Sequence, residues 1–526
     1  MTSTTEEVRP QPEAPEEELI SSPAADHSAR WVALGAIVVS AAAYAYFSVA
    51  GMALGYADSI SHLQIAARTL DSPTAGFAQL GGVWLPLPHL LMLPLIWIDP
   101  FYYNGFAGSA VSMASYVVCC VFIYKIGFGL TKARVAALAG TLVFALNPNV
   151  LYMQSTPMTE LLLFATISAA VYYVQKWIQT ADHTEGYPYL FAAALAAFLG
   201  CLTRYEAWVA TMVLGAVVLF VAWRKHGRQA AEGIVLTYLF FAGAAIAIWI
   251  GWNTLIFGNP LNFQNGEYAK PSLWVSADEK AVGNIVLAAK TYWYAMTENM
   301  GVLLVVAMVA GAVVMAVTRK RLDVLPTLSL LMMAPFFVFA LTVGQRPLHV
   351  AQISGDIYNV RFGLLMVVPT AVIVGHLVSL LSARARAIAL ILAAVITLLP
   401  MTPTGPSGVV TAREGQLFIG LGAEANSASS FLREQYDGTV ILIESFGNET
   451  ILFTARVPLT NNVYEGSYQK WDPALSNPPG QQIKWIVMRG GDSPDKTYRE
   501  LHGSDKLAEY TEVFHNRLYT IYERRA

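Results

Sequence analysis

The chain has 526 residues, 55% of them hydrophobic and only 13% charged, with a formal net charge of −3. Soluble globular proteins carry about 25% charged residues, so this composition excludes an ordinary soluble domain and points to an integral membrane protein. The small net charge excludes nucleic acid or a strongly acidic molecule as partner.

Residues 1–30 are acidic, contain several prolines and hold almost no large apolar side chains, which predicts a disordered cytoplasmic tail. They lack the basic start and small-residue cleavage site of a signal peptide, so the run at 31–55 is expected to be a retained anchor. The stretch "YADSISHLQIAARTL" (56–70) follows. Ile60, Leu63, Ala67 and Leu70 recur there at helical spacing, which predicts a short amphipathic helix lying on the membrane surface. Asp58 and His62, four apart, share a face of that helix. Asp58 either caps the helix N-terminus or serves a site.

The run "WLPLPHLLMLPLIWIDP" (84–100) carries His89 and prolines at 86, 88, 94 and 100. It is short for a span. Further apolar runs fall at 105–126, 135–152, 159–178, 187–203, 206–223, 233–257, 300–318, 324–343, 361–382 and 386–402, making about eleven spans with the first. The three cysteines, Cys119, Cys120 and Cys201, all lie inside these runs and read as small core residues. The basic loops are "YKIGFGLTKAR" (124–134), "WRKHGR" (223–228), "TRKR" (318–321) and "ARAR" (383–386). All four are cytoplasmic only if 84–100 stays at the outer interface as an interfacial or re-entrant helix. The N-terminus is then inside.

That topology gathers the polar candidates on the outer side. Glu160 begins a span after "STPMT", where the helix dipole alone would favour an acid. Arg204 and Glu206, in "LTRYEAW", either pair with each other or snorkel to the interface. Arg361 opens a span just after Tyr358 and Asn359. It either snorkels or binds an anion such as a lipid phosphate, which a planar guanidinium can hold in a fork. No HExxH, DxD, GxGxxG or P-loop pattern accompanies these residues, so a divalent metal is unsupported and no cofactor is predicted.

From about residue 405 the charge rises, and "YDG", "NPPG" and "RGGDSPD" signal turns. The runs 438–445, 484–489 and 516–524 alternate as strands do. Residues 405–526 are expected to form a small extracytoplasmic α/β domain, and 31–404 the membrane domain.

Taken in order, Asp58 with its helix, "WLPLPHLLMLPL", "YKIGFGLTKAR", "AALAGTLVFALNPNVLYMQSTPMTE", "LTRYEAW", "FGNPLNF" and "YNVRFGLLMVVP" form a recognisable series. It resembles the GT-C superfamily of membrane glycosyltransferases over roughly residues 31–400, in particular the protein O-mannosyltransferase and lipid A aminoarabinose transferase branch. The resemblance implies a bacterial or archaeal plasma-membrane enzyme. It would move a sugar, with inversion, from a polyprenyl-phosphate donor to a hydroxyl of a protein, lipid or glycan acceptor on the outer side. Asp58 would be the general base, Glu160 the acid of the second outer loop, and Arg361 the arginine near the donor phosphate. Arg204, Tyr358 and Asn359 would assist phosphate or lipid binding, with His62, His89 and Glu206 in support. The family commonly shows a second acid directly after the base; here that position is Ser59. The rival classes are a transporter or lipid flippase, which would want charges inside the spans, and a membrane scaffold presenting the terminal domain.

Overall fold

The structure, a computed structural model, describes residues 28–181, 183–276, 278–318, 321–399, 408–491 and 495–525. Most of the expected acidic tail, residues 1–27, lies outside them; Ser28, Ala29 and Arg30 already belong to helix α1 (Ser28–Val49). After α1 come α2 (Ala57–Arg68), α3 (Leu87–Ile96), α4 (Asp99–Tyr103), α5 (Phe106–Thr131), α6 (Arg134–Ala145) and α7 (Pro148–Met153). The series continues with α8 (Glu160–Gln179), α9 (His183–Cys201), α10 (Glu206–His226) and α11 (Arg228–Phe257).

Among the described residues, seven helical segments are long and apolar enough to cross a membrane. These are α1, α5, α8, α10, α11, Leu322–Thr342 and Val360–Ser379. The pair Ile285–Met300 and Val302–Thr318 is an eighth candidate, bent by 110°. Gly301 sits at the break with φ +80°, a conformation open to glycine. Together with α6, α9 and Ala383–Leu398, every expected span has a helical counterpart. Phe240, Val313 and Ile391 are among the large apolar side chains left exposed on these helices, as a lipid-facing surface requires.

The 84–100 run forms α3 and α4. Ten residues of α3 rise about 15 Å at 1.5 Å each, half a hydrocarbon core of about 30 Å. Pro100 opens α4, where its missing N–H costs nothing. The apolar side of α2 meets protein rather than lipid. Ile60, Leu63 and Ala67 are buried with Met92 and Ile96 of α3 and with Phe453 and Leu459 of the terminal region. Only Leu70 of the expected stripe stays exposed.

The C-terminal region holds five strands, β1 (Ile441–Ile443), β2 (Asn462–Val463), β3 (Trp485–Arg489), β4 (Tyr510–His515) and β5 (Tyr519–Arg524), in the order β2-β1-β3-β5-β4. The first three are parallel; β5 pairs antiparallel with β3 and with β4. The carboxyl end of β1, where open α/β sheets carry their working loops, is turned onto α2. Arg68 donates from Nη2 to Ser445 Oγ at 2.5 Å and lies 3.9 Å over the Tyr464 ring; Gln64 Nε2 donates to the Glu449 carbonyl at 2.8 Å. The helix Val410–Leu421, beyond the expected boundary at 405, buries Val410 and Ala412 in the main helical core.

Close backbone approach holds the helical core together. A Cβ on Gly140 of α6 would run into the carbonyl of Ala371 and the backbone of Gly375 in the helix Val367–Ser379. Gly251, in the middle of α11, faces open space. Gly140→Ala should therefore lower the thermal unfolding midpoint in detergent, by an overpacking cost of about 1–3 kcal/mol. Gly251→Ala should leave it unchanged or raise it, since alanine is the better helix former. Equal midpoints for the two variants would count against tight packing at Gly140.

Candidate active site

Asp58 sits in the first turn of α2, whose N-cap is Tyr56 and carries no side-chain cap bond. The capping role is therefore not used. Its carboxylate instead meets Arg361, with Nη2 donating to Oδ2 at 2.7 Å. Arg361 lies in the 3-10 turn Val360–Met366, which opens the buried helix after it. The guanidinium is otherwise enclosed: Nε donates to Glu160 Oε1 at 3.1 Å, Nη1 to Glu414 Oε1 at 3.4 Å, and the plane lies 4.8 Å over the Tyr56 ring.

Glu160 is the first residue of α8, and its N-cap, Thr159, makes no side-chain cap bond. The turn leading into it is buried and fastened. Ser109 and Ser112 of α5 donate to the carbonyls of Ser155 and Met158, and Gln154 bonds Ser40 of α1. The Oε1 atom of Glu160 also accepts from Arg204 Nη1 at 3.0 Å, while its Oε2 is buried without a protein partner. Arg204 continues the chain of charge through Nη2 to Glu206 Oε1 at 2.8 Å and donates to Thr159 Oγ1 at 2.9 Å. Two arginines and four carboxylates, drawn together from five segments of the chain, thus form one cluster. Side-chain exposure separates them: Glu160 and Glu414 are 3% and 0% exposed, and Asp58 is 42% exposed. Asp58 is where the cluster opens to solvent.

His62 and His89 come together, as their placement on neighbouring short helices allows. His62 Nδ1 and His89 Nε2 are 2.9 Å apart, and the His62 ring stacks on Trp84 with centroids 4.4 Å apart. Burial first, then the positive charges of Arg204 and Arg361, bring the His62 pKa down to about 3; burial likewise lowers that of His89. The pair is neutral, and one ring donates to the other. Tyr358 and Asn359 take up structural work. Tyr358 bridges its backbone to His349, and the Asn359 side chain donates to the Pro347 carbonyl at 3.0 Å. The backbone N–H of Asn359, at φ +54°, donates to Glu414.

Glu414 and Tyr56 are the members that sequence reasoning missed. Glu414 lies in the helix Val410–Leu421 and accepts from the Tyr56 hydroxyl at 3.0 Å as well as from Arg361 and Asn359. Burial raises its pKa, with Arg361 opposing. Two glycines bring it there. The backbones of Gly55 and Gly415 approach so closely that a Cβ on either would strike Tyr152, leaving the neighbouring Tyr56 and Glu414 side by side. The available signal was weak: an acid next to a glycine in a helix that also carries Arg413 and Gln416. Among the described residues, no group of three or more His, Cys, Asp or Glu side chains is placed to hold a metal ion.

The sequence matches no family model and no curated protein. By shape, the chain is similar to ArnT from Cupriavidus metallidurans bound to undecaprenyl phosphate. The match has a TM-score of 0.59 at 13% identity and covers 95% of this chain and 99% of that one. The apo form of the same protein matches with a TM-score of 0.54 at 14% identity, over 94% and 98% of the two chains. The apo oligosaccharyltransferase of Archaeoglobus fulgidus matches with a TM-score of 0.50 at 12% identity, over 88% of this chain and 70% of that one. At such identity the likeness is one of fold alone.

A titratable latch joins the segments around residues 279 and 344–358. His349 bonds Glu279 Oε2 through Nε2 at 2.8 Å and Asp356 Oδ2 through Nδ1 at 2.9 Å. Burial alone would lower its pKa, but the two carboxylates outweigh burial and raise it. A raised value means the latch is fully engaged below the unfolded value of about 6.5 and is lost as pH climbs through the higher folded value. Limited proteolysis at 344–356 should accelerate as pH rises above neutral, and His349→Gln should remove that dependence. A cleavage rate indifferent to pH in the unmodified chain would count against the latch.

Proposed function

We propose that this chain is a glycosyltransferase that moves a sugar from a polyprenyl-phosphate-linked donor to an acceptor hydroxyl on the outer side of the membrane. The observation that carries the reading is the convergence of Asp58, Glu160, Arg204 and Arg361 at one place in a GT-C fold. Asp58 is the most exposed of the four. The undecaprenyl phosphate held by the ArnT structure supports a lipid phosphate as the leaving group.

In this reading Asp58 accepts the proton of the acceptor hydroxyl as its oxygen attacks the anomeric carbon. The bond from that carbon to the phosphate oxygen breaks on the opposite face, which inverts the centre. The electron pair leaves on the polyprenyl phosphate, whose growing charge is met by Arg361. Glu160 and Arg204 hold Arg361 in line. The basic loops near 125–134 and 223–228 lie on the cytoplasmic side, so the site and the terminal sheet lie outside.

Purified protein incubated with a panel of polyprenyl-phosphate sugars should consume one of them. Asp58→Asn should insert and express normally yet transfer no sugar; full activity in that variant would sink the mechanism. Arg361→Ala should lower turnover by about 10²–10³, the typical cost of removing one preorganised donor. A transporter or flippase would move its lipid with no covalent change, so a donor that crosses the membrane unconsumed would favour that class. Tags placed at 223–228 should be protected from outside; labelling them from the outer face would reverse the topology.

A further inference from the structure

The three carboxylates around Arg361 are not held alike. Glu160 Oε1 is shared with Arg204 at 3.0 Å, and Glu414 is fixed by the Tyr56 hydroxyl at 3.0 Å and the Asn359 backbone N–H. The carboxylate of Asp58 has Arg361 as its hydrogen-bond partner, through Nη2, and is the exposed member of the set. Tyr56 covers a face of the guanidinium at 4.8 Å. An anion arriving from the solvent or the interface therefore meets Arg361 at Nη2, the position that Asp58 fills. With three carboxylates already present, the arginine has no positive potential to spare for a fourth negative group.

We propose that Asp58 and a phosphate oxygen of the lipid-linked donor are alternative occupants of Nη2 of Arg361, so that donor binding displaces Asp58 and frees it to act. This rests on the assignment of Arg361 to the donor phosphate. Glu160 and Glu414 act as positioning residues, keeping the guanidinium in one place for both occupants. Before the donor arrives, Asp58 Oδ2 is engaged by Arg361, whose positive charge weakens the carboxylate as a proton acceptor. Once phosphate takes Nη2, both carboxylate oxygens are available to the acceptor hydroxyl. The base thus gains its full strength only when a donor is in place, which makes donor-first order a property of the site.

The test measures equilibrium binding of undecaprenyl phosphate, which carries no sugar, to the full-length protein in detergent. Asp58→Asn removes the competing charge and keeps the side-chain shape, so it should bind roughly tenfold tighter or more than the unmodified chain. Asp58→Glu keeps the charge and should bind as the unmodified chain does. Arg361→Gln should abolish binding in both the native and the Asp58→Asn backgrounds. Unchanged or weaker binding by Asp58→Asn, with Arg361→Gln inactive in binding, overturns the exchange and leaves the donor-site reading standing. Normal binding by Arg361→Gln overturns both. Inorganic phosphate should show the same ratio at higher concentration, because the tail contributes equally to both variants. Tightening with inorganic phosphate but not with the lipid would mean a free-phosphate site and would also overturn the proposal.

Discussion

A buried arginine organises this molecule. Taking a guanidinium out of water costs several kcal/mol even after relaxation, about 20 kcal/mol in the idealised limit. Arg361 is 7% exposed, so its surroundings must supply charge and hydrogen bonds from elsewhere in the chain. They come from the head of α2 at Asp58, the head of α8 at Glu160 and a helix beyond the last apolar run at Glu414. A requirement set by one side chain therefore pins together segments separated by 303, 201 and 53 positions. The buried turn before Glu160, the glycine contact beside Tyr56 and the left-handed Asn359 can each be understood as a device for delivering one of those partners.

The same clustering ties the terminal sheet to the membrane helices. Arg68, on the helix that carries Asp58, reaches Ser445 at the carboxyl end of β1, and Tyr464 lies under its guanidinium. Gln79 donates to the Gly466 carbonyl at 2.9 Å, and Tyr468 donates to the carbonyl of Ala78 at 2.5 Å. The segment between α1 and α3 is thus held between α3 and the sheet. Asp58 owes its fixed position to both neighbours, and the loop bearing it is a packed element.

The parts of the site legible in sequence share a property. Asp58, Glu160, Arg204 and Arg361 are charges at the edges of long apolar runs, where capping, the helix dipole and snorkelling each offered a simpler use, and it was their common side that set them apart. Glu414 escaped because it follows the change in composition near residue 405, where charge is ordinary; only the docking of its helix into the membrane core gives it meaning. The stripe on α2 was readable as buried, yet periodicity does not say whether lipid or protein covers it. Among the strands, β1, β3 and β5 had clear apolar runs. β2 has only two residues, and β4, at the sheet edge, is mostly exposed or half-buried without regular alternation, so neither carried a signal. The bend at Gly301 was hidden for the opposite reason: one glycine in an apolar run reads as part of a span.

The contact between Gly55 and Gly415 also fixes an order of assembly. The partners of Arg361 are made at positions 58, 160 and 414, so the arginine is synthesised before the last of them. Until the helix Val410–Leu421 docks against Tyr152, the Tyr56 hydroxyl, the Asn359 N–H and one arm of the guanidinium lack their acceptor. A nascent chain halted at the final apolar helix would hold Arg361 between Asp58 and Glu160 with its third arm open. Closure of the two glycine backbones therefore completes the shell around the arginine only in a chain translated well beyond its last apolar helix.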